Sequence, residues 1–347
     1  MALSAVGSQG YSTGSGSAND YIEKAYVAAF REGFEQAFQQ SESKLQPYFE
    51  QETQNEEYQY FDRIGKAEDM SEDTSRFGTN PNSEINHDRR RIGLKDYELG
   101  KYIDEKDLKR VITDPMNAYT QALLASGKRK IDDIIIDKFF GDAYTGKSGG
   151  TTVTFAEGAG DEDRTNIVVG AVSAGDITAA GDYVVAGGNT EGFSVGANFG
   201  GSASGLTLAK LRAARRTMLR LHAIDQDETV NCFVTAKQLD DLLGITEVVS
   251  SDFAVRKALA EGSVTTFLGF RFIHCERLPL STGTGGDERR VIVATDKALK
   301  MSVGTGLKGD MWRDPSKKNI PYIYFKLCAD ASRMWGEVSG EIRCNES

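Results

Sequence analysis

DPMNAYTQALLASGKRKIDDIIIDKFFG, residues 114–141, reads as one long amphipathic helix, and the rest of the chain is arranged around it. Asp114 suits the N-cap, where its carboxylate accepts from the first free amides. Pro115 follows at a position whose N–H would be unpaired anyway, and Gly141 suits the C-terminal stop. Between these ends Met116, Tyr119, Leu123, Ile131, Ile134 and Ile135 recur at helical spacing and share one face, which must pack on something. At 1.5 Å per residue such a helix is about 39 Å long, which suits the backbone of a plate-like subunit. Ser126 and Gly127 fall at its middle, where a Gly/Ser pair predicts a bend or hinge.

Composition sets the bounds. The chain has 347 residues, 39% of them hydrophobic, and a net charge of −10; its mean hydropathy is −0.40 and its pI about 5.0. No run approaches the roughly 18 apolar residues of a membrane span, and the first residues show no basic-then-apolar export signal. Four cysteines (Cys232, Cys275, Cys328, Cys344) and three histidines (His87, His222, His274) lack metal-ligand spacing, so neither a metal site nor a disulfide framework is expected. The acidic balance argues against a dedicated DNA-binding protein and allows only weak, non-specific contact with nucleic acid.

Residues 1–19 are rich in Gly, Ser and Ala and read as a flexible arm. A helix is expected next, with Ile22, Tyr26, Phe30, Phe34 and Phe38 four apart beside a row of small residues. It is either an ordinary core helix or an arm that packs on a neighbouring subunit. Residues 56–99 read as a long hairpin, with Tyr58, Tyr60 and Ile64 on one extended segment and Ile92 and Leu94 on the other. Its tip carries Glu68, Asp69, Glu72 and Asp73, and the basic run Arg89, Arg90 and Arg91 follows. Such runs are either solvated charge or registry contacts between copies.

Residues 141–205 hold 16 of the 37 glycines, with β-like runs at 151–155, 166–172, 182–187 and 193–200. Residues 141–148, GDAYTGKS, match the P-loop pattern letter for letter. The context opposes that chemistry, because a helix precedes the motif and a β-like run follows it, the reverse of what a phosphate cradle needs. A further helix starting at Thr207 carries Leu208, Leu211, Met218 and Leu219 on one side and Lys210, Arg212, Arg215, Arg216 and Arg220 on the other, with Arg212, Arg216 and Arg220 in one row. That row is either a solvated face or a site for an acidic surface of another subunit or for DNA phosphates. Strand 231–236 and short helices ended by Gly244 and Gly262 complete what reads as a separate α/β lobe. No Ser-His-Asp or Cys-His constellation is present: adjacent His274 and Cys275 point to opposite faces of a strand.

The segment TFLGFRFIHCERLP, residues 266–279, followed by a second apolar strand at 289–303, resembles the axial domain of tailed-bacteriophage major capsid proteins, the Hong-Kong-97-type fold. The order of the other elements resembles that α+β fold over nearly the whole chain. The resemblance implies an N-terminal arm (1–55), an extended loop (56–100), a peripheral domain with its spine helix (101–144), an axial domain (206–312) and strands returning to the peripheral domain (313–347). Residues 145–205 are longer than the expected link and read as a Gly-rich β excursion or inserted subdomain. The implied function is a non-enzymatic capsid protein without cofactors, assembling into hexamers, pentamers and an icosahedral virion shell in the bacterial host cytoplasm. Its implied partners are other copies, a separate scaffolding protein, a portal and packaged double-stranded DNA. Two other readings stay open: the shell of a cellular compartment of the same fold, and a phosphate-binding enzyme using Lys147.

Overall fold

A computed structural model of the chain describes residues 40–67, 70, 72, 84–103, 116–156, 165–171, 183–244, 266–283 and 286–346. In chain order the first half of these gives β1 (Glu50–Thr53), β2 (Tyr58–Ile64), β3 (His87–Gly93), β4 (Asp96–Tyr102), α1 (Met116–Phe140), β5 (Ala143–Thr145), β6 (Thr151–Phe155), β7 (Ile167–Val169), β8 (Tyr183–Val185), β9 (Thr190–Glu191) and β10 (Phe193–Val195). The second half gives α2 (Leu208–Arg220), β11 (Val230–Val234), α3 (Ala236–Leu243), β12 (Thr266–Phe267), β13 (Phe270–His274), β14 (Leu280–Gly283), β15 (Gly286–Ala294), β16 (Leu299–Asp314), β17 (Ile320–Arg333) and β18 (Ser339–Asn345). The class is α+β, and the described residues form three sheets. A four-stranded sheet runs β1-β16-β17-β4, a five-stranded one β2-β3-β5-β6-β9, and a nine-stranded one β12-β13-β11-β15-β18-β10-β7-β8 with β14 on β15.

Helix α1 lies on the four-stranded sheet because two periodicities meet. Strand β17 buries Ile323, Phe325, Leu327, Ala329 and Ala331 at alternate positions, and the helix answers with Ile131, Ile134, Ile135 and Phe139. Tyr119 and Leu123 extend the contact over Ile103, Ile323 and Phe325. Asp114 and Pro115 fall outside the described residues; at the other end the Gly141 amide donates to Asp137 O at 2.9 Å and closes the last turn. Ser126 and Gly127, the expected bend or hinge, lie within the continuous helix. Gly127 also serves packing: a Cβ there would stand 2.6 Å from Leu307 Cδ1 of β16. Asp132, beside the apolar stripe and fully buried, accepts from the Ser43 hydroxyl at 2.5 Å and the Leu45 amide at 3.1 Å. It thereby pins the segment ahead of β1 to the helix.

Three boundaries differ from those expected. Strand β16 pairs along its whole length with β17, so Leu299 to Asp314 leave the sheet of the lobe assigned to 206–312. Strand β18, expected to return to the sheet under α1, pairs with β15 and β10 in the nine-stranded sheet. The Gly-rich stretch is no inserted subdomain among the described residues. Its β5 and β6 extend the β2–β3 hairpin sheet, while β7, β8 and β10 complete the nine-stranded one. Strand partners far apart in sequence decide these assignments, and local pattern carries no record of them.

If Gly127 is a packing position, Gly127→Leu overfills the α1–β16 contact and lowers the unfolding free energy by about 1–3 kcal/mol. Adding Leu307→Ala recovers part of that loss. Urea denaturation of the unassembled chain reads both.

Candidate inter-subunit surfaces

The β2–β3 hairpin pairs Tyr58 with Gly93, Phe61 with Arg90 and Ile64 with His87. Alternation then sorts its side chains onto two faces. Phe61, Arg63, Arg90 and Ile92 point inward, and Phe61 and Ile92 pack with Met334 and Trp335 in a small core of their own. Tyr58, Tyr60 and Ile64, which alternate along one strand, are on the outside, and Ile64 is 60% exposed.

An ionic cluster roots the hairpin. Arg63 Nη2 donates to Asp88 Oδ2 at 2.6 Å and to Glu191 Oε1 at 2.9 Å, and the fully buried Arg90 also donates to Glu191 Oε1. Arg333, equally buried at the end of β17, holds its Nε 3.9 Å from Glu191 Oε2. Its two Nη atoms donate to Phe139 O at 2.7 Å, Gly141 O at 3.0 Å and Val153 O at 3.2 Å. One carboxylate therefore gathers guanidinium groups from β2, β3 and β17, and Arg333 passes the connection to the end of α1 and to β6. Burial pulls Arg333 down to about 10 and also lowers Arg90. Burial pushes the Asp88 carboxyl upward, but hydrogen bonds from Thr145, Arg63 and the Arg89 amide outweigh it and hold the group at about 2.

The basic run of the hairpin thus divides. Arg90 is a correction to the expected contact residues, because it is wholly inside its own subunit. Arg89 and Arg91 face outward among tyrosines. Arg89 lies 5.5 Å over Tyr60 and pairs with Asp62 at 3.0 Å, and Arg91 lies 5.2 Å from Tyr58 and 5.0 Å from Tyr144. Glu72 is exposed; Glu68, Asp69 and Asp73 lie outside the described residues, as do Ile22, Tyr26, Phe30, Phe34 and Phe38 and the helix expected before Gly262.

Helix α2 is capped by Thr207 and presents Arg212, Arg216 and Arg220 on its exposed face. Arg216 Nε donates to the Tyr183 hydroxyl at 3.0 Å, and Arg220 lies 4.7 Å over the same ring. Lys210, expected on that polar side, is buried: its Nζ donates to Ser204 O at 2.6 Å, Gly205 O at 3.1 Å and Arg343 O at 2.9 Å. A cation that satisfies three carbonyls stitches loop and sheet together, and helical periodicity does not reveal it. Glu191 was missed for a related reason: it stands beside Gly192 in a two-residue strand with no pattern around it.

The P-loop match folds as a hairpin. Residues 143–145 form β5 and Gly146 to Gly149 make the turn into β6, so no helix N-terminus faces Lys147. All four cysteines are free thiols, and burial pushes Cys344 to about 12 and Cys275 to about 11. Among the described residues no group of three or more His, Cys, Asp and Glu is placed to hold a metal, and no helix is long and apolar enough to cross a membrane.

A hairpin rooted by an ionic cluster stands beside a helix laid on a four-stranded sheet. A family model described as phage capsid protein matches residues 22–346, and the chain belongs to that family. Among solved structures it is similar to the capsid of cyanophage Pam1, with a TM-score of 0.64 at 13% identity over 92% of this chain and 98% of that one. The capsid of cyanophage P-SCSP1u gives 0.61 at 15% identity over 92% of each chain. The capsid of a native GTA particle gives 0.57 at 12% identity over 95% of this chain and 99% of that one. No curated protein sequence matches.

Glu191→Gln leaves the fully buried Arg90 and Arg333 beside a neutral amide and is expected to cost about 3–5 kcal/mol, read by urea unfolding. Asp88 titrates below its ordinary 3.8, so its stabilisation is complete above that value and is lost as the pH falls through about 2. Asp88→Asn therefore flattens the acid-unfolding curve between those limits.

Proposed function

We propose that this phage capsid protein is the major shell subunit of a tailed phage, joined as hexamers and pentamers into an icosahedral shell around double-stranded DNA. One observation carries the reading: the outward face of a firmly rooted hairpin exposes Tyr58 at 46%, Tyr60 at 40% and Ile64 at 60%. Exposed apolar surface next to oriented arginines is what a neighbouring copy would cover. On this reading Arg89, Arg91, Arg212, Arg216 and Arg220, the tip acids Glu68, Asp69, Glu72 and Asp73, and the aromatic row Ile22, Tyr26, Phe30, Phe34 and Phe38 lie at contacts between subunits. Ser126 and Gly127 remain the place where α1 flexes if the shell expands. A net charge of −10 suits a wall past which DNA must slide. A separate scaffolding protein and a portal complete the assembly in the host cytoplasm.

Electron microscopy of the chain purified after co-expression with its scaffolding protein is expected to show closed particles or five- and six-fold rings, and sedimentation only at the monomer value across concentrations counts against the reading. Tyr60→Ser with Ile64→Ser changes exposed side chains, so stability stays within about 0.5 kcal/mol of the parent. The same pair abolishes assembly.

A further inference from the structure

The exposed face of α2 opens on a groove of about 400 Å³ lined by Arg212, Arg215, Arg216, Leu219, Arg220 and Leu268. Its arginines are already oriented. Arg215 donates to Gln226 O at 2.5 Å, and Tyr183 holds Arg216 and Arg220. Side chains fixed in advance lose little freedom when a ligand arrives. Leu268 reaches the groove from the turn between β12 and β13 with a φ of +51°, a region that disfavours leucine, and is still 37% exposed. The groove is thus an apolar floor, Leu219 and Leu268, ringed by four guanidinium groups.

The sequence contains the complementary arrangement. Residues 68–73 read Glu-Asp-Met-Ser-Glu-Asp, four acids around one apolar side chain. Met70 is fully exposed, so it is not seated in the groove of its own chain. Extended, six residues reach about 20 Å, enough to cover the roughly 12 Å of helix from Arg212 to Arg220. We propose that residues 68–73 of one copy dock in the α2 groove of a neighbouring copy, with Met70 between Leu219 and Leu268 and the four acids on the four arginines. The proposal rests on the shell reading and adds to it the receptor for the hairpin tip. DNA phosphates would match the charges and leave Leu219 and Leu268 uncovered, so the apolar floor favours the peptide.

Two sets of variants test it, with shells of the unmodified chain as reference. Arg212→Glu/Arg216→Glu/Arg220→Glu is expected to abolish shells, as is Glu68→Lys/Asp69→Lys/Glu72→Lys/Asp73→Lys, and the combination to restore them. Met70→Cys with Leu268→Cys leaves every charge in place and is expected to give a ladder of disulfide-linked oligomers in oxidised shells that neither single variant gives. This pair decides the matter if a charge-reversed chain fails to fold. Shells of the cysteine pair without the ladder overturn the docking and leave the shell reading standing, as do charge-reversed chains that assemble normally. DNA retention that falls in the arginine variant while its shells still form overturns it in favour of a nucleic-acid contact. An unmodified chain that forms neither rings nor shells when co-expressed with its scaffolding protein removes both the docking and the reading beneath it.

Discussion

The structure depends on one carboxylate. Glu191 stands where Arg63, Arg90 and Arg333 converge, and each arginine comes from a different strand. Removing ions from water is costly, and a buried pair offsets that cost only when its geometry is good and its remaining hydrogen bonds are satisfied. Arg333 meets much of that condition through three backbone carbonyls, and Arg63 through Asp88 as well as Glu191. The gain is positional. Apolar side chains at the same place would bury comfortably in several registers, whereas guanidinium groups aimed at one carboxylate accept few. The same device recurs in the nine-stranded sheet, where the buried Glu341 accepts from Ser194 at 2.6 Å, Arg290 at 2.6 Å and Arg343 at 2.9 Å and so ties β10, β15 and β18.

Registry matters most where a hairpin leaves the body of the subunit. The inner face of β2–β3 is committed to its own chain by Phe61, Ile92 and the ionic cluster, and period-two alternation leaves the outer face to the tyrosines and Arg89 and Arg91. A one-residue slip would exchange these faces, expose Arg90 and bury Asp62. The root therefore fixes which side chains the hairpin offers to another surface. Self-association asks for this, because every copy must present the same face.

How much of this was legible in the sequence follows from the range of the interactions. Helix α1 was legible because a 3.6-residue period, a terminal glycine and a matching apolar stripe are all local. The runs that became β6, β7, β8 and β10 were legible for the same reason, through β-branched residues between glycines. Their sheets were not, since β10 pairs with β18 almost 150 residues onward and no local pattern encodes that partner. Buried charges were the most consistent failure. Arg90, Lys210 and Asp132 look like surface residues by type, and only the carbonyls, amides and countercharges brought around them by the fold reverse that reading. The arginine row on α2 needed no such help, because four-residue spacing on an amphipathic helix already sets the exposed side.

The charge of the whole chain gives that row its meaning. Against a net charge of −10, a cluster of exposed arginines is a local reversal of sign, and two identical acidic subunits repel wherever like surfaces meet. Contact is then favoured only when the basic region of one copy meets an acidic region of the next, so the two surfaces in contact differ. In one such arrangement the contact is head-to-tail: each copy offers one surface and receives the other, and repetition gives a ring if the rotation closes or a filament if it does not. An isologous dimer meets the same requirement by pairing the basic region with the acidic one twice across its two-fold axis. The distribution of charge therefore sets which patches meet, and the rotation between copies, not the charge, decides between a dimer, a ring and a filament.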